Sequence, residues 1–131
     1  MKISCIQMNM KLGDLEYNFA HADELIAQAV KAAPDVIVLP ETWNTGFFPR
    51  ERLAEMADSD AAETIRRIGA LAKEYQVNIV AGSIANRKAA KEKNATNASE
   101  KSTDERNVAA KCADGNNRNV HITASIFYHC R

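Results

Sequence analysis

The chain has 131 residues, enough for one domain with a real hydrophobic core and too few for two. Seventeen basic residues balance seventeen acidic ones, so no net field draws the chain to nucleic acid or to an anionic membrane. No apolar stretch nears the ~18 residues of a membrane span, and Lys2 is followed by a run that Ser4, Gln7 and Asn9 interrupt, not by a signal-peptide core. Cys5, Cys112 and Cys130 form no recognisable framework. An odd count with no export signal points to reduced thiols and a cytoplasmic location, where the sequons at Asn94 and Asn97 carry no meaning.

In chain order, Lys2 to Met8 carries Ile3, Cys5 and Ile6 and fits a strand with one well-buried face. Gly13-Asp14 punctuates, with Asp14 as a helix N-cap. Phe19, Ala22, Leu25, Ile26, Ala29, Val30 and Ala33 then recur at helical spacing until Pro34 stops the helix. Val36 to Leu39 is a short unbroken apolar run, the pattern of a strand buried on both faces of a parallel sheet. Asp60-Ala61-Ala62-Glu63 resembles a capping box with Asp60 in the cap position. A second helical stripe follows through Ile65, Ile68, Leu71, Ala72 and Tyr75. Val77 to Ala81 predicts a third strand closed by Gly82-Ser83.

The order is β-α-β-α-β, with helices against a mostly parallel sheet. Residues 87–119 hold eight basic and five acidic residues and too little apolar surface to offset ordering entropy, so they read as a mobile loop or insertion. Val120, Ile122, Ala124 and Ile126 alternate with polar partners and predict a last strand ending at Tyr128.

The candidate chemistry sits after the second strand. Ligands of open α/β sheets bind beyond the carboxyl ends of the strands, and Pro40-Glu41 delivers a carboxylate there. Burial in such a crevice favours the protonated carboxyl and suits a glutamate to general-base work near neutral pH. On these observations alone, a loop salt bridge explains Glu41 better than catalysis does.

The run LPETWNTGFFP, Leu39 to Pro49, resembles the first signature of the nitrilase superfamily of carbon–nitrogen hydrolases. KISCIQMNMKLGDLEYN (Lys2 to Asn18) is similar to that family's first strand and the start of its first helix. APDVIVLPE and VNIVAGSI are similar to its second and third strands, so the likeness covers about residues 1–88. It implies an α/β fold, the N-terminal part of a nitrilase-type αββα sandwich. The chain is then a single truncated domain, 1–131, with 87–119 a polar insertion. It also implies a Glu–Lys–Cys mechanism in which a cysteine thiolate attacks an amide carbon, a glutamate moves the protons and a lysine steadies the oxyanion. Water then cleaves the thioester.

Glu41 matches the glutamate. Phe47 and Phe48 match the loop beside the substrate pocket, and Gly46 matches its turn. No cofactor and no metal are implied, and the expected substrate is a small ω-amide of a carboxylic acid. Full-length relatives are homo-oligomers.

The chain departs from the pattern at the other two catalytic positions. No Tyr-Asp-Lys context exists, and Lys111 lies in the polar segment without the expected flanks. None of the three cysteines has the nucleophile's setting, and Cys5 reads as a buried structural thiol. The expectation is therefore a chain that supplies only the glutamate and is inactive alone. The rival is a non-catalytic fragment or interaction module that oligomerises through an uncovered apolar sheet face.

Other readings fit poorly. Leu39-Pro40-Glu41-Thr42 lacks the glycine and hydrophobic span of a sortase signal. Cys112, His121, His129 and Cys130 match no common zinc spacing. Lys11-Leu12-Gly13-Asp14 supplies one glycine where a dinucleotide fold needs three.

Overall fold

A computed structural model describes residues 1–47, 49, 51–87, 108–113 and 119–127, the last two stretches as backbone alone. Strand β1 (Ile3–Cys5) leads to helix α1 (Leu15–Val30), strand β2 (Val36–Val38), a one-turn helix α2 (Leu53–Met56) and a two-residue strand β3 (Asp58–Ser59). Helix α3 (Ala62–Tyr75) and strands β4 (Asn78–Arg87), β5 (Val108–Ala113) and β6 (Asn119–Phe127) follow. The sheet runs β1-β2-β4-β6-β5, with β3 paired to the end of β4.

The β1-β2-β4 part is parallel, in the register Ser4–Ile37–Ile79. Because this order advances without reversal, two right-handed crossovers put α1 and α3 on the same face of the sheet. They meet there: Arg67 of α3 bonds Asp23 of α1 at 2.6 Å and lies over the Phe19 ring, 4.9 Å from its centroid. The core beneath them is built from Phe19, Ala22 and Ile26 of α1, Ile68 and Ala72 of α3, and Ile6, Ile37, Leu39, Ile79 and Ala81 from the strands or their ends.

Local signals explain most boundaries. Asp14 caps α1 by accepting the Tyr17 amide at 3.1 Å. α1 ends at Val30, and Ala33 turns through a φ of +48° before Pro34. At α3 the expected cap is corrected. Ala61, not Asp60, holds the cap position, in the left-handed conformation and with no side-chain bond of its own. The carboxylate that satisfies the first turn is Asp58, whose Oδ1 and Oδ2 accept the amides of Glu63 and Thr64 at 3.1 and 2.8 Å. β3 thus brings the cap from outside the local motif.

Four further expectations change. Gly82-Ser83 does not close the third strand, since β4 continues to Arg87 with a register shift between Val80 and Ser83. Residues 108–113, read as loop, form β5 opposite β6. The last strand is present as β6, antiparallel to β4, and Tyr128 lies outside the described residues. Among the described residues, Val36–Leu39 is covered on one side only. Ile37 and Leu39 are buried beneath the helices, whereas Val36 and Val38 on the opposite face are half-exposed. Ile3, 50% exposed, and Cys5 share that open face, so Cys5 is not the buried thiol expected of it.

Candidate active site

The site is the junction between the end of β2 and the middle of β4. Along one edge, β4 pairs first with β2 and last with β3. Between them Glu41 forms a single parallel bridge to Ser83. The approach is made possible by Gly82. It has a φ of +65°, and a Cβ there would stand 2.0 Å from the Pro40 carbonyl oxygen, so only glycine admits this contact.

Residues 42–44 fasten the loop after Glu41 onto β4 in succession. The Thr42 amide donates to the Ser83 carbonyl at 2.7 Å and lies 3.1 Å from the Ser83 hydroxyl. Trp43 is fully buried, donates Nε1–H to the Ala81 carbonyl at 2.7 Å, and meets Phe19 edge-on at 4.8 Å. Asn44, also fully buried, accepts the Ala85 amide on Oδ1 at 3.3 Å.

The β1–α1 connection closes the other side. Gly13 N–H donates to the Thr45 carbonyl at 2.9 Å, and Gly46, at φ +68°, sits so close to Lys11 that a Cβ would lie 2.4 Å from its carbonyl oxygen. The buried Asn18 amide exchanges 2.8 Å bonds with the Lys11 backbone and donates to the Asn44 carbonyl at 3.1 Å. Within the loop, Thr45 Oγ1 donates to the Phe47 carbonyl at 2.7 Å. Thr42 holds a φ of +48°, a conformation that costs a β-branched residue roughly 1–3 kcal/mol and persists only where its surroundings enforce it.

The expected site residues fall out unevenly. Glu41 stands at the carboxyl edge of the sheet, as its position after the apolar run requires, with its main chain fixed on both sides. Its side chain is exposed, so the described residues do not supply the burial expected there. The reason is the same open side seen at Val36 and Val38, where the sheet has no second layer among the described residues. Phe47 is 61% exposed at a φ of +83°, its backbone held by the Thr42 carbonyl and the Thr45 hydroxyl. Phe48 lies outside the described residues.

Lys111 falls on β5 in register with His121 of β6, and Cys112 in register with Val120. His129 and Cys130 lie outside the described residues. Among the described residues, no group of three or more His, Cys, Asp or Glu is placed to hold a metal. None of the described helices is long and apolar enough to cross a membrane.

Asn18, Trp43, Asn44 and Ser83 carry the geometry and are absent from the sequence-level candidates. A usable signal existed for Asn18, which lies four residues before Ala22 and eight before Ile26, on the buried stripe of α1. A polar residue at a core position of a helix must find partners.

The chain matches the carbon-nitrogen hydrolase family over residues 2–126 and belongs to it. It is 41% identical over 86 residues to 2-oxoglutaramate amidase of Bacillus subtilis strain 168, covering 66% of this chain and 32% of that protein. To the hydrolase in the agr operon of Staphylococcus aureus it is 37% identical over 86 residues, covering 66% and 33%. Among solved structures, Saccharomyces cerevisiae Nit3, a member of branch 10 of the nitrilase superfamily, superposes with a TM-score of 0.69 at 16% identity. That match covers 98% of this chain and 40% of Nit3. The chain spans about a third of the length of the curated relatives it matches.

Proposed function

We propose that this chain contributes the general base, Glu41, of a carbon–nitrogen hydrolase that cleaves a small ω-amide of a carboxylic acid. The reaction runs through a thioester. A cysteine thiolate attacks the amide carbon as Glu41 takes the thiol proton, and Glu41 returns a proton to the departing ammonia. A lysine steadies the oxyanion, and water activated by Glu41 releases the acid. The observation that supports this most is Glu41 itself, held at the carboxyl edge of the sheet by the Ser83 bridge, the bonds of residues 42–44 and the strained Thr42. A salt-bridge glutamate in a surface loop needs no such scaffold. The amide substrate follows the amidase among the relatives.

The lysine and the cysteine have no counterpart in matching context within these 131 residues, and Glu41 is exposed. The chain by itself is therefore inactive. Incubated with simple ω-amides, it releases no more ammonia than its Glu41→Ala variant. Ammonia above that control contradicts the assignment of inactivity, and alkylating the cysteines in turn then identifies the nucleophile.

A second reading rests on the open sheet face. Ile3, Val36, Val38 and Val80 alternate with the buried residues and remain half-exposed or exposed. Such a face, without a second layer among the described residues, favours self-association. On this reading the chain sediments as a dimer or larger species, and Ile3→Lys shifts it to the monomer. A wild-type chain that is monomeric at tens of micromolar rules the reading out.

A further inference from the structure

We propose that Asn18, on the first helix, is a positioning residue for Glu41, a role that rests on Glu41 being the base. Asn18 is fully buried on a face of α1 otherwise made of Phe19, Ala22 and Ile26. Asparagine disfavours helix interiors and a buried amide must be satisfied, so its presence there calls for a compensating task. Its side chain makes three bonds, all to main chain. Oδ1 accepts the Lys11 amide at 2.8 Å, and Nδ2 donates to the Lys11 carbonyl at 2.8 Å and to the Asn44 carbonyl at 3.1 Å. Both amide protons are thereby used.

The consequence is a three-part span. The paired bonds to Lys11 fix the β1–α1 connection at the point where Gly46 rests on it. The third bond takes hold of Asn44, whose own Oδ1 accepts the Ala85 amide of β4. Asn44 is three residues from Glu41, and the intervening Thr42 and Trp43 are bonded to Ser83 and Ala81. β4 therefore holds the loop from one side and Asn18 from the other. Without Asn18, the side-chain bonds that tie α1 to Lys11 and Asn44 are lost, and the loop keeps its anchor on β4 and the Gly13–Thr45 bond.

The test follows the Glu41 carboxyl directly, in the full chain labelled with 13C at glutamate Cδ and with Glu41→Gln assigning the resonance. Asn18→Ala shifts or broadens the Glu41 signal. Ile26→Val, a core change on the same helix away from the loop, leaves that signal in place. An unmoved Glu41 resonance in Asn18→Ala, or equal movement in both variants, overturns the proposal. If Asn18→Ala does not fold, amide exchange in the unaltered chain decides. The Lys11 amide, bonded to Asn18 Oδ1, is then protected as strongly as the Thr42 amide, whereas free exchange at Lys11 overturns the role. Neither readout requires turnover. Failure of the base assignment would leave this coupling intact, and loss of the coupling would leave the base assignment untouched.

Discussion

The two faces of the same three strands differ sharply. Ile37, Leu39, Ile79 and Ala81 lie beneath α1 and α3 and are almost wholly removed from water. On the opposite face of these strands Ile3 is half exposed, and Val36, Val38 and Val80 are partly exposed. Their chemistry is the same, and only the cover differs. Hydrophobicity alone therefore does not locate the core. Two parallel crossovers in one direction place both helices on one side, and the opposite side is apolar without a second layer among the described residues. Glu41 emerges at the edge between these two environments, which explains how it is rigidly mounted and yet exposed.

Substitutions on the two faces sharpen the contrast. Ile37→Ala opens a cavity under the helices and lowers unfolding stability by roughly 2–5 kcal/mol. Val36→Ala, its neighbour on the open side, costs less, about 1 kcal/mol, because that side chain is only partly buried and its truncation leaves no enclosed cavity. Urea denaturation of both variants measures the difference, and equal losses would show that the open face is covered in solution.

The smallest effect belongs to the surface of α3. Arg66, hydrogen-bonded to Glu63 at 2.6 and 2.9 Å, holds the Glu63 carboxyl below its ordinary value of 4.5. A depressed carboxyl contributes stability above its unfolded-state value and loses it as pH falls through the folded one. Both side chains are exposed, so screening leaves little. Glu63→Gln changes the melting temperature by about 1 °C or less at neutral pH, and that difference fades as pH falls through the lowered Glu63 value. A larger acid-sensitive loss would mean that the charged groups between α1 and α3 act as one network centred on Arg67.

The β-α-β-α-β order, the Asp14 cap, the buried stripes of both helices and the position of Glu41 at a strand end are all legible in the sequence. They rest on local periodicity and on residues whose partners lie within a few positions. What escapes the sequence depends on distant partners. Gly82 reads as a stop because a bulge and a turn both call for a positive φ, and only the close approach of Pro40 distinguishes them. Asp60 fits the capping pattern, but Asp58 reaches the same amides from β3. β5 is rich in alanine, with weak strand preference of its own, and pairing with β6 defines it. The unbroken run Val36–Leu39 correctly signals a strand but not how many of its faces these residues cover. In the site, Glu41 was legible from a motif, while Asn18, Asn44 and Ser83 act through bonds spanning up to 41 positions.

The most direct test places Glu41 among the remaining catalytic groups. In an amidase of the family, the matching stretch is exchanged for that of this chain, and the hybrid is compared with its Glu41→Gln form at equal fold content by circular dichroism. The account predicts that the hybrid releases ammonia from its ω-amide and that Glu41→Gln lowers kcat by about 10²–10⁴-fold. A Glu41→Gln hybrid that turns over as fast as its parent would contradict it.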